Sequence, residues 1–184
     1  LEWMQLDPGS INVAHYDDLR GDREGFVDLN PEKHVRHGLR ISRNSRLYPS
    51  YGIYGPEYIR LGATMHWREG TFPPIYRLIF SRGFSVSFPP EDYGLTAYLN
   101  LLDQVAPGAP WMISGFDADI LSMIPRTVME GGHVRVGLAD AALDSKNSNL
   151  QLVEKAQDSI VSAGGEIAKA HHVRAMVKPF DSEQ

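Results

Sequence analysis

Cysteine is absent from this 184-residue chain, which excludes disulfide staples and thiolate metal ligands. Long apolar runs are missing too, and nothing approaches the ~20 residues a helix needs to span a bilayer. The first residues, Leu1–Asp7, are mixed and partly acidic, unlike a secretory signal. Basic residues are in deficit, 18 Lys and Arg against 23 Asp and Glu, for a formal charge of −5. That balance argues against a nucleic-acid binder, which would present a basic face. Internal repeats and low-complexity stretches are absent as well. What remains is an ordinary soluble composition, 42% hydrophobic and 22% charged, long enough to bury a core. We expect one domain over residues 1–184, in the cytoplasm.

Short apolar runs alternate with segments of helical period. Trp3–Leu6, Tyr58–Met65, Phe84–Phe88, Trp111–Gly115 and His133–Leu138 read as strands. Leu95, Tyr98, Leu99 and Leu102 recur at i, i+3, i+4, i+7, one stripe of a helix that ends before Pro107-Gly108. Phe72–Arg82 reads as a helix with two prolines in its first turn and Gly83 as its stop. Further helices are expected from Pro31, from Pro125 to Gly131, over Asn149–Ala163 and over Glu166–Val177. Such alternation implies a parallel sheet with helices outside it. About five units are visible, whereas a closed eight-unit barrel needs roughly 250 residues. The expected architecture is therefore an open α/β sheet or an incomplete barrel.

The segment richest in chemistry is Gly131-Gly132-His133-Val134-Arg135-Val136-Gly137-Leu138-Ala139-Asp140. Alternation sends Val134, Val136 and Leu138 to one face and His133, Arg135 and Gly137 to the other. Arg135 then faces what would be the lumen of a barrel, where a guanidinium needs a carboxylate partner from protein or ligand. Asp140 follows at the C-terminal end of the strand, the rim where barrel active sites are built. The pattern alone leaves two alternatives, a structural ion pair or a functional one. Asp7-Pro8-Gly9-Ser10 is first of all a turn, though its serine and amides could hold a carboxylate or phosphate. His34 and His37 are three apart but lie among Lys33, Arg36 and Arg40, the pattern of a solvated basic face. His66, expected at a strand end, is a weak candidate metal ligand. His171 and His172 are expected on different sides of a surface helix. Spacing alone gives no convincing metal site.

The segment 131–140 closely resembles the final-strand signature of the β-keto acid cleavage enzymes. The likeness extends to Trp111-x-x-x-Gly115, to Pro125, to Ser148–Val153 and Gly164–Ala168, and upstream to Leu6-Asp7-Pro8-Gly9-Ser10-Ile11-Asn12. The pairs Gly52-Ile53 and Pro56-Glu57 match more weakly. The resemblance begins partway into the family's usual length, and implies the C-terminal part of a (β/α)8 TIM barrel with its N-terminal strands missing. It also implies a homotetrameric, zinc-dependent enzyme that converts a β-keto acid and acetyl-CoA into acetoacetate and a new CoA ester. Carried over by position, Arg135 would bind the substrate carboxylate and orient the base, as its planar fork suits. Asp140 would belong to the group that removes the proton between the carbonyls. Ser10 would hydrogen-bond substrate at the rim.

Two departures bear on that expectation. The family's His-x-His metal pair lies on an early strand that has no counterpart here. Its third ligand, a glutamate before the signature aspartate, is replaced by Ala139, which cannot ligate metal. A catalytically inactive homologue, binding a small carboxylate or serving as an assembly subunit, is therefore a competing reading. An unrelated, aldolase-like α/β enzyme is a third, set against the run of matches from 111 to 168.

Overall fold

A computed structural model describes residues 2–177 of the chain. Five parallel strands form its main sheet: β1 (Trp3–Leu6), β4 (Tyr48–Ile53), β5 (Ile75–Phe80), β6 (Trp111–Gly115) and β7 (His133–Val134), paired in that order. Between the first two lies an arm in which β2 (Ile11–Val13) and β3 (Phe26–Asp28) pair antiparallel around the short helix α1 (Tyr16–Arg20). Helices α2 (Glu32–Asn44), α3 (Pro56–Glu69), α4 (Asp92–Val105), α5 (Ile124–Met129) and α6 (Asn149–Ser162) alternate with the later strands, and α7 (Ala170–Met176) ends the described chain. Five parallel strands with interleaved helices are the expected incomplete barrel, with β1 and β7 as its edges.

Strand alternation divides the sheet into two faces. Tyr51, Ile53, Tyr76, Leu78, Phe80, Trp111 and Ile113 point outward and bury themselves under the helices. Each helix answers with an apolar stripe: Val35 and Leu39 from α2, Tyr58 and Ile59 from α3, Leu95, Tyr98 and Leu102 from α4. Each such fully buried side chain contributes ~1.5–3 kcal/mol relative to exposure. The helix ends follow local chemistry. Pro56 opens α3, where its missing N–H costs nothing, and Gly70 closes it in a left-handed turn at φ +58°. Ser148 and Gln151 form a reciprocal capping box at the start of α6.

Three expected elements change type. Tyr58–Met65 is helix rather than strand, lying inside α3. Phe72–Arg82 is not a helix: after Pro73-Pro74 it becomes β5, whose six residues are all buried. A continuous apolar run looks alike in either state, and burial on both faces of the strand removes the alternation that would tell them apart. Phe84–Phe88 is a loop whose strand-like pairing is limited to two isolated bridges, Phe88 to Phe80 of β5 and Phe84 to His15 of the arm. Three strands have no counterpart in the sequence reading, β2 and β3 of the arm and β4 of the main sheet; β4 contains a proline. Its Pro49 lies before pairing with β5 begins at Ser50, so no donor is needed from it on that side. The expected His133–Leu138 strand shrinks to two residues, because the chain turns at Gly137. The last helix starts at Ala170 rather than Glu166, and the rings of His171 and His172 touch, 4.1 Å between centroids, instead of diverging.

Candidate active site

The inner face of the sheet mixes charged and polar side chains with a few apolar ones, whereas the outer face is apolar. In register across the strands lie Gly52, Arg77, Met112 and His133, and Asp7, the residue after β1, continues that row beside Gly52. One layer higher, toward the C-terminal ends of the strands, come Ile79 and Ser114, then Arg135 just beyond β7. Stacked inward-facing layers of this kind fill barrel interiors, and their upper rim carries the chemistry.

Arg135 and Asp140 do meet. The short turn after β7 folds back because Gly137 accepts from the backbone N–H groups of both Asp140 and Ala141, at 3.0 Å each. Asn149 at the start of α6 accepts from the Leu138 N–H and pins the turn from outside. Asp140 Oδ1 then lies 3.1 Å from Arg135 Nη2 and receives the Ser114 hydroxyl, also at 3.1 Å. Asp140 is buried, whereas Arg135 keeps 37% of its side chain open. Gly115 is required for this packing, since a Cβ there would come within 2.5 Å of the Asp140 carbonyl. A cavity of about 280 Å³ opens beside the pair, bounded by Ala118, Ile120, Asn147, Leu152 and Lys155.

A second charged pair lies deeper. Arg77, 4% exposed, faces Asp7 at 3.7 Å. Burial pushes the Asp7 carboxyl above the usual carboxylate range and Asp28 adds to this, while Arg77, the Gly52 amide and Arg135 pull it back down. Burial, and then the nearby Arg135, lower the Arg77 pKa. Burial likewise raises that of the neighbouring Tyr54. Gly52 makes the approach possible: a Cβ there would overlap Asp7 Oδ1 and sit 2.8 Å from Arg77 Nη2. The sequence did carry a signal for this pair, an arginine inside the apolar run Ile75–Phe80. Reading that run as a helix hid the face it points to.

The other expected site residues fall elsewhere. Ser10 is exposed, and its hydroxyl accepts from the Asn30 N–H at 2.7 Å. It borders a separate hollow with Arg36 and Arg68 between α2 and α3. His66 sits in α3, not at a strand end, and its Nδ1 pairs with the Thr71 hydroxyl at 2.8 Å. Thr71 precedes β5, so His66 lies at the N-terminal end of the sheet, opposite the rim. Burial lowers its pKa. Ala139 is exposed. Among the described residues, no group of three or more His, Asp or Glu is placed to hold a metal ion, and none of the described helices is long and apolar enough to cross a membrane.

The sequence profile of the beta-keto acid cleavage enzymes (BKACE) matches residues 1–178. The chain belongs to this family. No curated protein matches it. Among solved structures it resembles the one described as the binary complex of ObcA with oxaloacetate, with a TM-score of 0.65 at 12% identity over 96% of this chain. The likeness covers 45% of the ObcA chain, so this chain spans less than half of that protein's length. Identity this low speaks for a shared fold, that of part of a TIM-barrel-like β-keto acid cleavage enzyme. Within the family signature, the Arg135–Asp140 turn is the part whose side chains meet at the rim.

Proposed function

We propose that residues 1–184 form a single partial barrel domain carrying the C-terminal part of a β-keto acid cleavage active site. The whole enzyme converts a β-keto acid and acetyl-CoA into acetoacetate and a new CoA ester by Claisen-type condensation and cleavage. The observation that supports this best is the Arg135–Asp140 pair at the rim, with a half-exposed guanidinium beside an open cavity. Arg135 binds the substrate carboxylate through its planar fork. Asp140 and Ser114 orient that fork, and Asp140 belongs to the group that handles the substrate proton. Ser10, the other substrate contact expected from the family, borders the separate hollow between α2 and α3 and takes no part in this reading. Family membership brings with it the expectation of zinc, homotetramers and a cytoplasmic setting. The described residues do not fit a zinc ion, since Ala139 stands at the expected ligand position and no other cluster replaces it. No step is therefore assigned to a metal here. The structure of ObcA, described as a binary complex with oxaloacetate, is consistent with a small keto acid as ligand.

The test is to incubate the protein with β-keto acids and acetyl-CoA and to look for acetoacetate and the matching CoA ester by mass spectrometry. Metal content before and after mild chelation is measured alongside. Product that disappears in Arg135→Ala supports the reading. Ala139 favours a second one, an inactive carboxylate-binding homologue, and binding of a β-keto acid without any product would select it.

A further inference from the structure

The hollow between α2 and α3 lies outside the sheet, apart from the rim pair, and encloses about 380 Å³. Pro8 packs beside Gly62 of α3, which sets the Asp7–Ser10 turn against that helix. Leu61, Met65 and Arg68 then recur at i, i+4, i+7 along α3, so the hollow follows the helix for about 10 Å. Its charge is uneven. Arg36 gives its Nε to Glu69 at 2.7 Å and its Nη1 to Glu32 at 3.0 Å, leaving Nη2 uncommitted. Arg40 Nη1 lies 3.6 Å from the other Glu69 oxygen, and Arg43 bonds the Glu69 carbonyl at 3.0 Å. Both glutamates are thus already paired, and Arg40 and Arg43 answer the carbonyl end of α3. Arg68 is surplus to that arrangement. It is exposed, makes no hydrogen bond or close ion pair with a described residue, and feels Glu69 only at longer range. Four arginines therefore stand against two glutamates, in a chain whose formal charge is −5. A concavity of one sign gathers ions of the other. Ser10 accepts from the Asn30 N–H at 2.7 Å and keeps its own proton to donate. Leu61, 41% exposed, and Met65 lay an apolar strip beside these donors. The cavity at Arg135 is the contrary case, since Asp119, Asp140 and Asp144 all border it and repel a polyanion.

We propose that this hollow binds a phosphorylated small molecule. Arg68, the free Nη2 of Arg36 and the Ser10 hydroxyl hold the phosphate, and an apolar or planar part of the ligand rests on Leu61 and Met65. Guanidinium forks match phosphate oxygens with paired N–H bonds, which a carboxylate-sized partner uses less fully. Two sources carry this chemistry. One is the nucleotide end of a CoA thioester, crossing the Asp7–Ser10 turn from the lumen, and this source rests on the function proposed above. The other is a free phosphorylated metabolite bound from outside the barrel, which needs no reaction at the rim.

The experiment is isothermal titration calorimetry of the full protein at low salt with adenosine 3′,5′-bisphosphate, inorganic pyrophosphate, CoA and unphosphorylated adenosine. Wild type binds at least one of the phosphorylated probes and not adenosine, and the binding weakens as salt is added. Arg68→Ala weakens it about 10–100-fold, the loss of a charge-assisted bond, with Tm unchanged because Arg68 is exposed. CoA bound by the wild type and weakened alike in Arg68→Ala supports the proposal with CoA as the source. Bisphosphate or pyrophosphate bound without CoA supports it with a free metabolite as the source. Wild type that binds none of the phosphorylated probes overturns the proposal, as does an affinity unmoved by Arg68→Ala. If Arg68→Ala does not fold, Arg68→Gln decides by the same criterion. None of these readouts uses turnover, so a protein inactive toward β-keto acids overturns the function proposed above and leaves this test standing.

Discussion

Arg135 Nη2 and Ser114 Oγ converge on the same oxygen of Asp140, each at 3.1 Å. One donor comes from the turn after β7 and the other from β6, so the aspartate ties two neighbouring strand ends together. Removing either donor has a different consequence. Ser114→Ala deletes a hydroxyl bond to a carboxylate and costs about 1.5 kcal/mol, the low end for a bond to a charged group, read from urea denaturation. Arg135 still compensates Asp140 in that variant.

Arg135→Ala leaves the buried Asp140 with only a hydroxyl. Because Arg135 is more than a third exposed, the loss of stability is about 1–2 kcal/mol, below the 3–5 typical of fully buried pairs. Turnover of a β-keto acid falls at least ~100-fold, the size expected for a lost charge-assisted contact to substrate. A purely structural pair would show the stability loss with kcat/KM of the surviving fold intact.

Gly52→Ala places a methyl between Asp7 and Arg77. Neither neighbour can yield freely, since both are confined in the lumen. A destabilisation of about 1–3 kcal/mol is expected, as for overpacked cores. An unchanged Tm would show that the lumen is looser than these contacts imply.

Asp7 has a raised folded pKa, so its contribution to stability is complete below the unfolded value of 3.8 and is lost as pH rises through the folded value. Asp7→Asn lacks this loss. Relative to wild type, the variant's Tm should therefore improve as pH climbs from about 4 toward 7. A pH-independent difference would place the Asp7 carboxyl in ordinary solvent.

His66 shows the opposite sign. Its folded pKa is lowered by burial, so stability is present above the unfolded value of 6.5 and declines as pH falls through the folded one. His66→Gln should flatten that decline and leave any bound zinc unchanged. Loss of zinc in this variant would restore His66 as a ligand.

The signature turn was legible because its chemistry is local. Gly137 and the Arg135-to-Asp140 spacing bring the pair together within one loop, and helices α4 and α6 announce themselves by period. The deeper pair was not legible. Asp7 sits in what reads as a plain turn, and Arg77 is 70 positions away, so only the parallel register between β1, β4 and β5 makes them neighbours. Helix α3 was misread for a related reason. Tyr58, Ile59 and Leu61 are as strand-like in composition as β5, and only the Pro56 start and the Gly70 stop mark its true type.

At the opposite end of the sheet, Arg174 of α7 bonds Glu2 at 2.8 Å, 172 residues away in sequence. In α7, too, Met176 touches His133 at the foot of β7. This helix thus clips together the first and last strands of the sheet. A contact of such sequence separation demands nearly the whole chain's loop entropy before it rewards anything. It should form last during folding and open first on warming, its amides exchanging with solvent well before those of β5. The rim that carries the Arg135–Asp140 pair and the floor that holds the edges together are thereby on separate clocks.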